Sequence, residues 1–288
     1  MTSADFAFIA AFLKERSGLI ITADKMYLLE TRLTSILRDN DLKDLVALVD
    51  LLRQPGRSAM KDKVVDAMTT NETSFFRDSH PFDTLRKSII PALIERRAAS
   101  RTLRIWSAAC STGQEPYSLA MILKDHFPVL GSWKVEIVAT DISPSVLDRA
   151  REGLYSTFEV QRGMPIQMLI RHFDQVDQHW QIKPELRRNI TFRPANLLDD
   201  LSLLGTFDVV LCRNVLIYFD QPTKTRILHA ISRRIATDGA LLLGGAESVF
   251  GLCDAFASAS GLKGVYGHAK QTKLSATAWT AVPIPVAS

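Results

Sequence analysis

The chain has 288 residues, 47% hydrophobic and 23% charged, with a formal net charge of +4. That length can bury the core of one large domain or two modest ones, and no run approaches the roughly 18 apolar residues of a membrane span. Cys110, Cys212 and Cys253 are widely spaced without C-x-x-C and the His residues form no cluster, which argues against a disulfide scaffold and a metal site and for a reducing cytoplasm.

The opening MTSADFAFIAAFLKERSG has acid before base and reads as an amphipathic helix, not a secretory leader. Phe6, Ile9, Ala10 and Leu13, then Met26, Leu29, Leu33, Ile36 and Leu37, recur at helical spacing, with breaks near Gly18 and Asp41. Leu45, Leu48, Val49 and Leu52 lead into the turn Pro55-Gly56, and Met60, Val64, Val65 and Met68 start a further helix. Residues 1–80 are therefore predicted to be a helical domain. Next comes Thr69 to Phe82, TTNETSFFRDSHPF, unusually polar for a linker and carrying two adjacent aromatics. Here Asn71, Thr73 and Arg77 could reach a ligand that Phe75 and Phe76 cover; alternatively Asn71 or Thr73 caps a helix and the Phe pair fills a domain interface. A helix from Pro81 to about Ala99 presents Leu85, Ile89, Ile90, Leu93 and Ile94 on one face. The basic stretch Arg96, Arg97, Arg101 and Arg104 at its end reads as solvated cations that complement the helix dipole.

From Leu103 the rhythm changes. Strands are predicted near 103–109, 134–140, 190–195, 207–212 and 239–245, with helices near 115–127, 144–153 and 221–236. Short apolar strands alternating with amphipathic helices imply an α/β fold with a parallel sheet covered on both faces. Residues 154–189 interrupt the alternation: MPIQMLIRHF reads as helix and VDQHWQI as an exposed strand, so a small insertion of helix plus hairpin is expected. The tail from about Lys270, ending TAWTAVPIPVAS, has no pattern and is expected to be disordered.

The segment Arg104 to Met121, RIWSAACSTGQEPYSLAM, runs from strand through a small-residue loop with Gly113 into a helix beginning near Glu115. That order brings backbone N–H groups to a ligand at the carboxyl edge of a sheet, and Asp141, ending the next strand, stands where doubly wound folds grip ribose hydroxyls. Neither G-x-G-x-x-G nor G-x-x-x-x-G-K-[ST] occurs. A ribose-bearing ligand without phosphate fits better, and S-adenosylmethionine is the obvious one. In ITFRPANLLDD, Asn196 follows a strand and could meet an adenine edge or simply form a turn. In FDVVLCRNVLIYFD, a buried strand runs straight into Arg213 and Asn214 and then Tyr218, and such charge at a strand end has to be satisfied.

Taken together, SFFRDSHPF, SAACSTGQEPYSLAM, ATDIS, ANLL and CRNVLIYF closely resemble the chemotaxis receptor methyltransferases, the CheR family, over roughly residues 5–268. The resemblance implies an N-terminal helical domain (1–80) and a doubly wound class I S-adenosylmethionine-dependent methyltransferase domain (81–270) with a small β-subdomain inserted at about 154–189, followed by the tail, 271–288. It implies methyl transfer from S-adenosylmethionine to glutamate side chains on the cytoplasmic helices of methyl-accepting chemotaxis receptors, giving glutamyl methyl esters and S-adenosylhomocysteine in a cytoplasmic enzyme of bacterial adaptation. By the same match, Asn71, Thr73, Arg77, Glu115, Asp141, Asn196, Leu197, Arg213 and Asn214 would contact the cofactor, and Arg77 and Tyr218 would lie nearest the reacting methyl in catalytic roles.

Two departures stand out. Some relatives dock a receptor's C-terminal peptide on a Gly-containing hairpin of the β-subdomain; here no Gly lies between Gly163 and Gly205, so no tethering peptide is expected. The second helix carries Lys25, Arg32 and Arg38 but also Asp24, Glu30 and Asp39, which dilutes a basic receptor-facing surface. A monomer is the default expectation, with no metal, nucleic acid or membrane insertion. The alternatives are a methyltransferase acting on another substrate and a non-catalytic sensor or adaptor that binds S-adenosylmethionine.

Overall fold

The computed structural model describes residues 1–269; the tail expected to be disordered, 271–288, lies outside the described residues. Four helices come first: α1 (Ser3–Ser17), α2 (Met26–Asp39), α3 (Leu45–Arg53) and α4 (Ser58–Met68). Thr2 and Asp5 form a reciprocal capping box on α1, and Asp44 accepts the Ala47 amide to start α3. Ile9, Leu13, Leu29, Leu33, Leu48 and Met68 are among the apolar side chains that close a core within these helices.

Beyond a coil segment, α5 (His80–Thr84), a π-helical turn (Leu85–Ile89) and α6 (Ile90–Arg96) follow one another where the sequence predicts a single helix. Pro91 supplies the reason. Its ring has no N–H to donate and clashes with the carbonyl four residues back in a regular helix, and the wider turn ahead of it makes room.

Strand and helix then alternate: β1 (Thr102–Ala108), α7 (Gln114–His126), β2 (Lys134–Asp141) and α8 (Pro144–Glu152). An insertion follows, with β3 (Leu154–Ser156), α9 (Thr157–Gln161), α10 (Ile166–His172), β4 (Phe173–Val176), β5 (His179–Ile182) and α11 (Pro184–Arg187). The main sheet resumes with β6 (Ile190–Pro194), β7 (Phe207–Cys212), α12 (Gln221–Ser232), β8 (Ile235–Leu243), β9 (Phe256–Ser258) and β10 (Val265–His268).

The seven-stranded sheet has the order β6-β2-β1-β7-β8-β10-β9. β1 pairs in parallel with β2 on one side and β7 on the other, and Ala108 stands level with both Thr140 and Cys212. The winding therefore reverses at β1, and a crevice opens beyond the carboxyl ends of these three strands. All six residues of β7 are buried, as a central strand covered on both faces requires. β10 runs antiparallel to both β8 and the edge strand β9, and β9 and β10 escaped the sequence reading, being three and four residues long with no alternation to betray them.

The inserted strands form their own three-stranded sheet, β3-β5-β4, whose hairpin turns at Asp177 with a φ of 53°. It does not stand apart from the main body. Tyr155, Leu169, Phe173 and Ile182 share one continuous core with Phe75 and Tyr117.

Of the arginines read as a solvated helix end, Arg96 and Arg101 are exposed, but Arg97 and Arg104 are ion-paired. Arg97 meets Asp208 at 2.8 Å and Asp238 at 2.5 Å, while Arg104 meets Glu136 at 2.8 Å and donates to the carbonyls of Leu204 and Thr206. Their acidic partners come from strands far along the chain, which local spacing does not reveal. Among the described residues no helix is long and apolar enough to cross a membrane.

Candidate active site

The crevice at β1 is a cleft of about 840 Å³, counting its solvent-open mouth, within the usual range for small-molecule sites. Three parts of the chain wall it: the end of α1 with Ser17 and Leu19, the coil from Thr69 to Arg77, and the carboxyl ends of β1, β2 and β7. Asn71, Thr73, Arg77, Glu115, Asp141, Arg213, Asn214 and Tyr218 all line it.

The loop after β1 is tightly shaped, with Ala109 at φ 57° and Ser111 at φ 50°. Such left-handed conformations cost non-glycine residues about 1–3 kcal/mol each and persist only where surroundings hold them. Here Cys110 N–H donates to the Thr140 carbonyl at 2.9 Å, Ser111 N–H to Asp141 Oδ2 at 2.8 Å, and the Ser111 hydroxyl to the Asn71 carbonyl at 2.8 Å. The Tyr155 phenol, arriving from the insertion, donates to the Thr112 carbonyl at 2.8 Å. The sequence reading has this loop offering amides to a ligand; instead, those of Cys110, Ser111 and Gly113 bond within the chain. The cause is burial: a loop with no phosphate to bind must satisfy its own donors.

Asp141 is only 5% exposed, and burial pushes its carboxyl above the ordinary carboxylate value, opposed by the amides of Ser143 and Ser111. Glu115 accepts from the Ser107 hydroxyl at 2.8 Å and from Arg213 Nη1 at 2.8 Å. Arg213, with its side chain 1% exposed, also donates from Nη2 to the Arg77 carbonyl at 2.7 Å and to Asp78 Oδ2 at 3.0 Å. Its Nε is buried and has no partner among the described residues. A buried charged donor without an acceptor is costly, and its place on the cleft wall points to an acceptor brought by a ligand. Arg77 lies on a sharply bent stretch, with Phe76, Asp78 and Ser79 all at positive φ, and donates to the Glu72 carbonyl at 2.8 Å.

Asn196 and Leu197 are not part of this wall. They follow β6, where the Asn196 amide donates to the Arg16 carbonyl at 2.6 Å and Leu197 packs into the core behind the sheet. The amide thus fastens the end of α1. Phe75 is fully buried, edge-on to Tyr155 at 5.0 Å and Phe173 at 5.7 Å, and Phe76 packs on Phe82, so the aromatic pair fills an interface.

Sequence reasoning missed Ser107, Ser111, Tyr155 and Glu247, which hold the cleft's loops through side-chain to backbone or side-chain to side-chain bonds. Small polar residues in strands and turns carry no signal until tertiary partners are known. It also missed a grouping outside the cleft, where His229, Cys253 and Asp254 bring their ligand-type atoms within 4.8 Å of one another.

The donor set suits an S-adenosylmethionine-like group. The loop amides of Cys110, Ser111 and Gly113 are unavailable to a phosphate, Asp141 keeps acceptor capacity for ribose hydroxyls, and the orphan Nε of Arg213 calls for an acceptor.

Comparison with known proteins gives two family matches: "CheR methyltransferase, all-alpha domain" over residues 4–69 and "CheR methyltransferase, SAM binding domain" over residues 71–265. Chemotaxis protein methyltransferase 1 of Pseudomonas aeruginosa is 42% identical over 93% of this chain and 98% of its own length. Chemotaxis protein methyltransferase Cher2 of Pseudomonas putida is 40% identical, covering 92% of this chain and 98% of that protein. Chemotaxis protein methyltransferase 1 of Vibrio cholerae is 40% identical over 89% of this chain and 93% of that protein.

Proposed function

The chain belongs to the CheR methyltransferase family, and we propose that it transfers a methyl group from S-adenosylmethionine to glutamate side chains of chemoreceptors, leaving glutamyl methyl esters and S-adenosylhomocysteine. The observation that carries this is the cleft at the sheet's reversal point, where Arg213, ion-paired to Glu115 at 2.8 Å, keeps one buried donor unmatched.

Asp141 is assigned to the ribose hydroxyls, and Glu115, Arg213, Asn214, Asn71 and Thr73 to the polar groups of the amino-acid end. Asn196 and Leu197, just past the strand that pairs with β2, are assigned to the rim at the adenine end and not to the wall. When bound, S-adenosylmethionine supplies an electrophilic methyl on a sulfonium cation, whose charge is lost together with that of an attacking carboxylate.

A glutamate acceptor is ionised at neutral pH and needs no general base. Arg77 is assigned to hold that carboxylate and aim it, and Tyr218, half-buried on the same wall, to hydrogen-bond beside the transfer path. Walls that shed water favour a step in which charge disappears.

The partner is the cytoplasmic helical part of a chemoreceptor. Arg32 of α2 is engaged within the chain, donating to the carbonyls of Met68 and Thr69 and to the Thr70 hydroxyl, so the basic face left for a receptor is thin. With the β4–β5 hairpin lacking glycine, transfer is expected to proceed on receptors without a C-terminal tethering peptide. The test is labelled S-adenosylmethionine with receptor membranes: alkali-labile label on the receptor supports the assignment, and binding without labile ester overturns the acceptor.

A further inference from the structure

We propose that Glu247 is a positioning residue that sets the wall of the cleft formed by residues 213–218; its role in methyl transfer rests on the function proposed above. The turn after β8 buries this carboxylate, 9% exposed, beside the carboxyl end of β7. Oε2 accepts the amides of Gly244 at 2.7 Å and Asn214 at 2.8 Å; Oε1 accepts those of Val215 at 2.9 Å and Leu216 at 2.7 Å. An ionised carboxylate offers about four acceptor positions, so Glu247 is fully occupied by backbone. It has no acceptor position left for a ligand. Its effect on chemistry is carried through the loop.

The clamp holds a sharply bent loop. Asn214 adopts a φ of 58°, in the left-handed region that is uncommon for a non-glycine residue although Asn enters it more readily than most. The same segment bears Arg213 before it and Tyr218 after it, and the latter's carbonyl accepts the Ile20 amide from the helical domain. One carboxylate therefore ties the end of β8 to the segment that presents Arg213, Asn214 and Tyr218. Gly244 allows the approach: a Cβ there would lie 2.7 Å from Glu247 Oε2 and 2.9 Å from the Asn214 nitrogen.

Glu247→Gln keeps the size but turns an amide NH2 toward backbone donors, and Gly244→Ala leaves the carboxylate in place while wedging it from the loop. For each full-length variant three quantities are measured: amide hydrogen exchange of residues 214–216, the thermal midpoint, and kcat and KM for alkali-labile ester formation. The expected result is faster exchange confined to 214–216, a folded protein, and kcat lowered about tenfold or more with a smaller change in KM for S-adenosylmethionine. Glu247→Asp, which keeps the charge on a shorter arm, is expected to recover part of the rate. Unchanged exchange, unchanged kcat, or a loss of rate accounted for by unfolded protein in both variants overturns the role. If wild type forms no ester, the acceptor assignment fails separately, and the exchange and cofactor-binding measurements still decide whether Glu247 holds the wall.

Discussion

Arg213 and Glu115 stand ninety-eight positions apart in sequence and 2.8 Å apart in space, and neither makes sense alone. Arg213→Leu would leave the Glu115 carboxylate without its cation in a mostly buried place, and a loss of about 3 kcal/mol in unfolding free energy is expected from chemical denaturation. Arg77 differs, being half-buried with its guanidinium donating to the Glu72 carbonyl. Arg77→Ala should therefore leave stability nearly unchanged and lower kcat on the order of a hundredfold, well beyond any loss of cofactor affinity; retained turnover removes it from the mechanism. Asp141 carries a pH dependence. Because burial raises its folded value above 3.8, the folded protein holds that proton more tightly than the unfolded chain, and this group's contribution to stability falls as pH rises through the raised value. Ribose binding needs the carboxylate, so affinity for S-adenosylmethionine should weaken as pH falls through the same window. Calorimetric titration against Asp141→Asn, which should flatten the profile, checks the sign. At this scale the cleft lining was legible where a charged side chain ends a strand, as at Asp141 and Arg213, but not at Asn196, whose amide turns to the Arg16 carbonyl. It was silent on Tyr155 and Glu247, whose bonds run to backbone atoms of distant loops.

The central strands were the easiest elements to read, because β7 is apolar throughout and ends abruptly in Arg213. The short antiparallel strands β9 and β10 and the π-helical turn before Pro91 were not, since the strands lack length and the turn answers a steric demand within an otherwise helical pattern. The insertion shows the limit more sharply: helix and hairpin are visible in the residues, but its fusion with the core around Phe75 is not. Gly163 sits at that junction with φ 90°, where a Cβ would run into the Phe75 carbonyl oxygen. Gly163→Ala is expected to destabilise the protein by about 2 kcal/mol or more and, since Phe75 is two residues from Arg77, to lower turnover per folded molecule; denaturation and initial rates read the two effects separately.

For the whole molecule, the sheet and the first four helices meet at the mouth of the cleft. Lys14 pairs with Asp220 at 2.7 Å, Ser145 donates to Asp66 at 3.1 Å, and Ser17 and Leu19 complete the wall. The helices thus help to build the site. The central claim is carboxyl methylation of a chemoreceptor, and its most direct measurement is incubation of the protein with methyl-labelled S-adenosylmethionine and receptor-containing membranes, followed by alkali and counting of volatile methanol. The account predicts label on the receptor that alkali releases as methanol, and none with Arg77→Ala above a small residue. Tight cofactor binding with no alkali-labile label on any receptor would contradict it.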